Sequence, residues 1–308
     1  MRYFITGATG FVGSHLTHKL LASGAQVAIL VRNPEGARRI RDLLDRVTVI
    51  RGELSSIRAC ADALKSFRPD VVFHLGWSGA NSYQHQQNID QVYLNVDGSL
   101  KLVRLTAEAG CKKFIGMGSV IEYGRFDREL HEDLPVKPDN LYGASKFGVG
   151  LLSEFLCKSL GMTFAWFRLS WGYGPDDDAA RMIPYVIQSL LQRKKPSLTP
   201  GKQLWDYLYI DDIVDALRLV ANLQRVGGTF NLGCGEPRRI REIVEFVRDQ
   251  IDPSLQIGFG DIPYREGQAM SLQVNNRRLR DATGWSPKVP LEVGLRKTVQ
   301  WYAARRKA

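Results

Sequence analysis

The segment Thr6-Gly7-Ala8-Thr9-Gly10-Phe11-Val12-Gly13 constrains this chain more than any other. It directly follows residues 3–6, which read as a strand, and it opens residues 11–23, which read as a helix. A strand, a glycine turn and a helix in that order begin a βαβ unit, and each glycine then has a separate physical use. Gly7 permits the tight turn, Gly10 lets the backbone approach a pyrophosphate, and Gly13 lets helix and strand pack closely. The helix N-terminus offers unpaired N–H groups and partial positive charge to phosphate. The spacing therefore predicts that Thr6, Gly7, Thr9, Gly10, Phe11, Val12 and Gly13 bind a dinucleotide.

The rest of the first half repeats the alternation. Residues 26–31, 47–51, 71–75, 114–117 and 163–169 read as strands, and 100–109 and 142–160 as helices. Buried strands joined by helices predict a parallel sheet with right-handed crossovers, a Rossmann-type doubly wound α/β fold. After Gly174-Pro175 the pattern loosens into aromatics, prolines and short elements. Residues 1–175 are thus expected to be mainly the dinucleotide-binding domain. Residues 176–308 are expected to be mainly a smaller substrate-binding lobe, interleaved with late elements of the first domain.

With 308 residues, 44% of them hydrophobic and 24% charged, the composition is that of an ordinary globular protein. Cys60, Cys111, Cys157 and Cys234 are scattered without a CxxC pair, and the five histidines lack metal-ligand spacing. No metal, no disulfide framework and a reducing cytoplasm are expected. A signal peptide and a membrane span are not expected either. The net charge of +10 favours anionic partners: a phosphorylated cofactor, a diphosphate substrate or nucleic acid. Most of the basic clusters (Arg38, Arg39 and Arg41; Arg193 to Lys195; Arg277, Arg278 and Arg280; Arg305 to Lys307) read as solvated faces. Nucleic acid is not expected, because no basic stripe is interleaved with aromatics.

The second strand ends at Val31, and an acid just after it would hydrogen-bond a ribose 2′-OH and repel a phosphate. This chain has Arg32 there, which can instead pair with a 2′-phosphate. NADP is therefore expected rather than NAD, with Arg38 or Arg39 assisting. Further along, Tyr142 and Lys146 stand four residues apart, on one face of a helix. A free phenol, with a pKa near 10, is a poor acid or base at neutral pH, and a nearby ammonium stabilises the phenolate. Bringing it to about 7 takes roughly 4 kcal/mol. Ser119 follows the strand at 114–117, where its hydroxyl can polarise a substrate oxygen.

Together these residues resemble the extended short-chain dehydrogenase/reductases, the group that holds nucleotide-sugar epimerases, dehydratases and 4-ketoreductases. The resemblance runs nearly end to end. It includes the glycine-rich start, Gly52-Glu53, His74-Leu75-Gly76, Asn95-Val96-Asp97-Gly98, Ser119, Tyr142 and Lys146. It continues through Arg168, Gly172-Tyr173-Gly174-Pro175, Trp205 to Asp212, Phe230 to Gly233 and Gly284 to Pro287. The resemblance implies that Ser119, Tyr142 and Lys146 are catalytic, with Tyr142 and Lys146 also touching the cofactor. It implies that Glu53 and Leu54 flank the adenine, and that Leu75, Gly76 and Trp77 line the cofactor's phosphate and ribose. It places Ser78, Ser119 and Val120 near the substrate, Arg265 on the substrate's diphosphate, and Asn95 in a structural role. It also implies a homodimer formed through the helices at 100–109 and 142–160.

Three departures sharpen the reading. Val120 and Ile121 stand where 4,6-dehydratases carry an acidic pair, which argues against water elimination. Glu122 replaces the usual valine before Tyr123-Gly124, as in some 4-keto-6-deoxyhexose reductases. Trp171 and Trp205 stand where many epimerases carry the Asn and Arg that hold the nucleotide. The expected function is NADPH-dependent reduction of a nucleoside-diphosphate 4-keto-6-deoxyhexose, in deoxysugar biosynthesis. The alternatives are a nucleotide-sugar 4-epimerase with tightly bound NAD and a reductase of a non-nucleotide carbonyl.

Overall fold

A computed structural model describes residues 1–79, 87–125 and 128–306. The strands are β1 (Arg2–Thr6), β2 (Gln26–Val31), β3 (Thr48–Arg51), β4 (Val71–His74), β5 (Lys113–Ser119) and β6 (Thr163–Leu169). Then come β7 (Trp171–Tyr173), β8 (Ser197–Leu198), β9 (Leu204–Trp205), β10 (Tyr207–Tyr209), β11 (Gly228–Leu232), β12 (Arg238–Arg239) and β13 (Gly258–Phe259). The helices are α1 (Phe11–Ala22), α2 (Ala61–Phe67), α3 (Asp97–Glu108), α4 (Leu141–Ser159), α5 (Met182–Leu191), α6 (Ile210–Asn222), α7 (Ile240–Ile251), α8 (Arg277–Thr283) and α9 (Leu291–Arg306).

Seven strands form one wholly parallel sheet in the order β3-β2-β1-β4-β5-β6-β11. Parallel sheets are covered on both faces, so their strands are apolar throughout rather than alternating. All four residues of β4 are buried, as are all seven of β5. Leu16, Leu20, Ile213, Leu217 and Val220 of α1 and α6 fill one face. Leu64, Leu102, Val103, Val149 and Cys157 of α2, α3 and α4 fill the other. Each such side chain stabilises the fold by about 1.5–3 kcal/mol. The strand order reverses direction between β1 and β4, which opens a crevice at their carboxyl ends.

The sequence places a strand at 114–117, and the structure extends it to Lys113–Ser119. Its glycines make room rather than break it. A Cβ on Gly116 would lie 2.2 Å from Cζ3 of Trp166, and one on Gly118 2.2 Å from Nε1 of the same ring. Lys113, where β5 begins, donates its ammonium to the carbonyls of Val220 (2.5 Å), Leu223 (2.7 Å) and Val226 (2.7 Å). It thereby caps the end of α6 and the turn that leads into β11. The broad apolar surface of α4 packs on the sheet only in part, through residues such as Leu156. The sheet takes Tyr142, Gly143, Ser145, Lys146, Val149, Gly150 and Ser153, while Leu151, Leu152 and Phe155 are exposed. Gly150 explains the choice, because a Cβ there would lie 2.9 Å from Trp166.

Three short two-stranded pairings, β7 with β10, β9 with β12 and β8 with β13, stand apart from the main sheet.

Candidate active site

The site lies along that carboxyl edge. At one end the turn from β1 to α1 is built from missing side chains. Gly7 has φ +76°, and a Cβ on it would lie 2.5 Å from the amide nitrogen of Gly76, where the chain leaves β4. A Cβ on Gly13 would lie 2.1 Å from the carbonyl oxygen of Gly7. Gly10 is the N-cap of α1, which has no side-chain cap and no acid in its first turn. Thr9, Phe11 and Val12 complete the turn. The first N–H groups of α1 thus remain available to an anion. This cradle fits a dinucleotide's diphosphate.

The neighbouring loop is held from below. Thr6 Oγ1 accepts from Gly76 N (3.1 Å) and meets His74 Nδ1 (2.8 Å). His74 Nε2 meets Ser99 Oγ (2.8 Å), which donates to Asn95 O (2.6 Å). Burial, with the charge of Lys146, pushes His74 down to about 3, so it serves as a neutral link. Asn95 clamps Ser78, accepting from its N–H (2.7 Å) and donating to its carbonyl (3.1 Å). Trp77 Nε1 donates to Gln91 Oε1 (2.7 Å). Leu75, Gly76, Trp77 and Ser78 are thus fixed as one strip, and the structural role expected of Asn95 takes this form.

Arg32 is exposed at the end of β2, and its guanidinium has no ion pair among the described residues. The assistance expected from Arg38 or Arg39 meets a competitor. Arg38 pairs with Asp176 (2.5 Å), and Arg39 donates to the Asp176 carbonyl (2.9 Å) and to Thr9 O (3.4 Å). Glu53 is exposed and accepts from Ser55 Oγ (2.8 Å). Leu54 packs over Gly98, where a Cβ would lie 2.2 Å from the Leu54 carbonyl oxygen.

The other end of the site is built from buried charge. Ser119 closes β5 and caps the turn Val120–Tyr123, its hydroxyl accepting from Ile121 N (3.2 Å). Glu122 is fully buried beneath it. Glu122 Oε1 accepts from Ser119 N (2.9 Å) and Trp166 Nε1 (3.0 Å), and Oε2 from Arg168 Nε (2.9 Å). Arg168 also stacks on the Tyr123 ring at 4.5 Å, and Tyr123 donates to Asn231 Oδ1 (2.8 Å). Burial raises the Glu122 carboxyl and Arg168 opposes it. Sequence reasoning noticed Glu122 only as a departure. The available signal was Arg168 itself: a cation inside the apolar strand TFAWFRL requires a buried anion.

Asn140 caps α4 by accepting from Gly143 N (2.8 Å), and the helix then presents Tyr142 and Lys146 to β5. Lys146 Nζ donates to Met117 O (2.7 Å) and lies 3.9 Å from the centre of the Trp77 ring and 5.9 Å from that of Tyr142. Trp77 meets Tyr142 edge to face at 6.1 Å. Ser119, Tyr142 and Lys146 are therefore brought together. Their electrostatics correct the expectation that Lys146 lowers Tyr142. Burial pushes the phenol up to about 12, the Glu122 charge adds to this, and Arg181 and the Ser119 hydroxyl oppose it. Burial also pushes Lys146 down to about 7, against the pull of Glu122. Lys146 is thus only partly charged at neutral pH, and Tyr142 keeps its proton there.

Beyond Ser119, Val120 is buried with Tyr123, Leu130, Leu272 and Val274, against Trp171 and Trp205. Arg265 sits on an exposed turn closed by Gln268 N donating to its carbonyl (3.0 Å). A cavity of about 660 Å³ lies beside α1, lined by His15, His18, Arg38, Arg39, Asp176 and Trp301 among others. Among the described residues no helix is long and apolar enough to cross a membrane, and no group of His, Cys, Asp or Glu could hold a metal ion.

Comparison with known proteins agrees with the Rossmann-type fold. A UDP-glucose 4-epimerase of Mycolicibacterium smegmatis is 27% identical over 317 residues, covering 98% of both chains. A probable dTDP-glucose 4,6-dehydratase of Sinorhizobium fredii is 26% identical over 340 residues, covering 98% of this chain and 93% of the other. The crystal structure of a Bacillus anthracis dTDP-glucose 4,6-dehydratase in complex with NAD superposes with a TM-score of 0.88 at 22% identity, covering 100% and 98% of the chains. The model of the NAD dependent epimerase/dehydratase family matches residues 3–233, and the chain belongs to that family of extended short-chain dehydrogenase/reductase enzymes.

Proposed function

We propose that this enzyme uses NADPH to reduce the 4-keto group of a 6-deoxyhexose carried on a nucleoside diphosphate. The observation that carries the reading is geometric: Tyr142 is buried at the end of β5 beside Ser119, one turn before Lys146 on the same helix face and edge to face with Trp77, where it rests as a proton donor. Reduction of a ketone needs such a donor at the forming alkoxide. Val120 and Ile121, in place of an acidic pair, argue against dehydration.

In this reading Gly7, Thr9, Gly10, Phe11, Val12 and Gly13 hold the cofactor's diphosphate, and Arg32 pairs with its 2′-phosphate. Thr6, Glu53, Leu54, Leu75, Gly76 and Trp77 flank the adenosine and ribose. When bound, the reduced nicotinamide supplies the hydride for carbon 4. Ser119 hydrogen-bonds the ketone oxygen, Tyr142 gives that oxygen its proton, and solvent restores the phenol. Lys146 holds the nicotinamide ribose and favours the transient phenolate. Ser78 and Val120 border the sugar, and Arg265 holds the substrate diphosphate. In domain terms, 1–175 serve the cofactor mainly and 176–308 the substrate, although β11 returns to the main sheet.

A homodimer is part of the proposal. Leu151, Leu152, Phe155 and Leu160 of α4 and its end, with Tyr93 and Leu94 just before α3, form an exposed apolar face across two packed helices. A second copy would cover it.

The test is NADPH consumption with 4-keto-6-deoxy sugars carried on GDP, dTDP and CDP. Stoichiometric oxidation with one of them supports the reading. No oxidation with any, in protein that binds cofactor, overturns it. Arg32→Glu should weaken NADPH binding about 10- to 100-fold and spare NADH, the loss expected for a charge-assisted contact. A second reading, a 4-epimerase, is favoured by the relative named UDP-glucose 4-epimerase. Copurifying, non-exchanging NAD would support it.

A further inference from the structure

The cavity beside α1 belongs to neither end of the site. Its walls come from α1, the segment between β2 and β3, the loop after β7, and α9. Arg32, Ser119, Tyr142, Lys146 and the turn from Thr6 to Gly13 do not line it. At about 660 Å³ it has the capacity of a small-molecule site.

Four arginines, Arg38, Arg39, Arg41 and Arg305, line it together with two acids, Asp42 and Asp176. Both acids are already engaged. Asp176 takes Arg38 at 2.5 Å and Arg39 at 3.8 Å, and Asp42 lies 4.0 Å from His18 Nε2. Arg41 and Arg305 have no ion pair or hydrogen bond among the described residues. Arg305 instead stacks on Trp301, its guanidinium carbon 3.9 Å from the ring centre. Stacking uses the flat face of a guanidinium and leaves its in-plane N–H donors to a ligand. The indole is itself held in place. Tyr302 meets it edge to face at 4.8 Å and donates its hydroxyl to the Asp177 carbonyl (3.1 Å).

We propose that this cavity is a second anion site, which takes the phosphoryl group of a small phosphorylated metabolite other than the nicotinamide cofactor. Arg41 and Arg305 hold its oxygens, and Arg38 and Arg39 border it. Two unpaired guanidiniums call for about two negative charges, which a phosphoryl group carries near neutral pH and a carboxylate does not. None of the catalytic residues lines the cavity, so its occupant is not the molecule being reduced. The site does not depend on which carbonyl the enzyme accepts.

The test is calorimetric titration of the intact chain, saturated with NADPH, with inorganic pyrophosphate as the probe. Wild type should bind it. Arg41→Ala and Arg305→Ala should each raise its Kd roughly tenfold, the scale of one charge-assisted contact. Both should keep the wild-type melting temperature and NADPH affinity. Arg265→Ala, on the turn assigned above to the substrate's diphosphate, should leave pyrophosphate binding unchanged. Pyrophosphate that binds only when NADPH is absent would give the cavity to the cofactor's own phosphates and overturn the proposal. No binding by wild type, or an unchanged Kd in both arginine variants, would also overturn it. Each of these results leaves the ketone reduction to be judged by its own assay.

Discussion

The two ends of the site are made by opposite means. The cofactor end is made by leaving side chains out: Gly7, Gly10 and Gly13 bring backbone within reach of a phosphate, and residues 6–13 carry no ionisable side chain of their own. The catalytic end is made by burying charge: Glu122, Arg168, Lys146 and Tyr142 are all withdrawn from water. The first end should therefore be indifferent to pH and intolerant of a single added methyl group. The second should tolerate little change of charge and respond to pH. Geometry built from backbone and chemistry built from desolvation fail in different ways, and that difference can be measured.

The largest expected effect is at the phenol. Tyr142→Phe should lower turnover by about 10²- to 10⁴-fold, the usual worth of a general acid. NADPH affinity should stay near wild type, as fluorescence titration would read. Wild-type-like turnover in that variant would remove Tyr142 from the chemistry.

Next comes the buried pair behind Ser119. Glu122→Gln leaves Arg168 buried without its counter-charge, which should cost about 3–5 kcal/mol in urea unfolding. The Tyr142 phenol should also titrate lower, because the Glu122 charge raises it. Unchanged stability would mean that Arg168 finds another partner and that the charge is not confined.

At the glycine end, Gly13→Ala forces the first turn of α1 away from Gly7, from which its Cβ would be 2.1 Å. Overpacking of this kind costs about 1–3 kcal/mol. NADPH affinity should fall by a similar factor at every pH from 6 to 9. A pH-dependent loss would blur the contrast between the two ends.

The slightest effect per pH unit is on stability against pH. Lys146 is pushed down to about 7 and Lys113 to about 8 from the ordinary 10.5 of a lysine, so the unfolded chain binds more protons than the folded one above pH 7. Stability should then rise with pH from 7 to 9, by at most about 1.4 kcal/mol per pH unit for each lysine. Above that the buried thiols of Cys111 and Cys157, pushed up to about 11 and 12 from 9.0, work in the opposite direction. Lys146→Met should remove its share of the rise in a chemical-denaturation series. An identical rise in that variant would show that Lys146 is not the group responsible.

How much of this the sequence discloses follows the same division. The glycine turn is local, so residues 6–13 announce both its shape and its neighbours in the chain. The strands are apolar through and through, and their spans differ from the structure by one or two residues. The orientation of α4 is hidden, since its broad apolar surface suits both a dimer face and a face against the sheet. The decision belongs to Trp166 on β6, which demands small residues opposite it. The Glu122–Arg168 pair spans 46 residues and is invisible to local pattern, although an arginine inside an apolar strand is a clue. The protonation of Tyr142 cannot be read from the spacing of Tyr and Lys. It depends on how deeply both are desolvated, which is a property of the assembled fold.

The central claim is that Tyr142 serves a reduction with exchangeable NADPH. The most direct measurement is isotopic. NADPH carrying deuterium at the transferable position of the nicotinamide is incubated with the accepted 4-keto-6-deoxy nucleotide sugar, and the product is examined by mass spectrometry. One deuterium per product molecule, located at carbon 4, is the expected result. Product or substrate turned over without deuterium from added NADPH would contradict it, and would point to a nicotinamide that is reduced and reoxidised without leaving the protein.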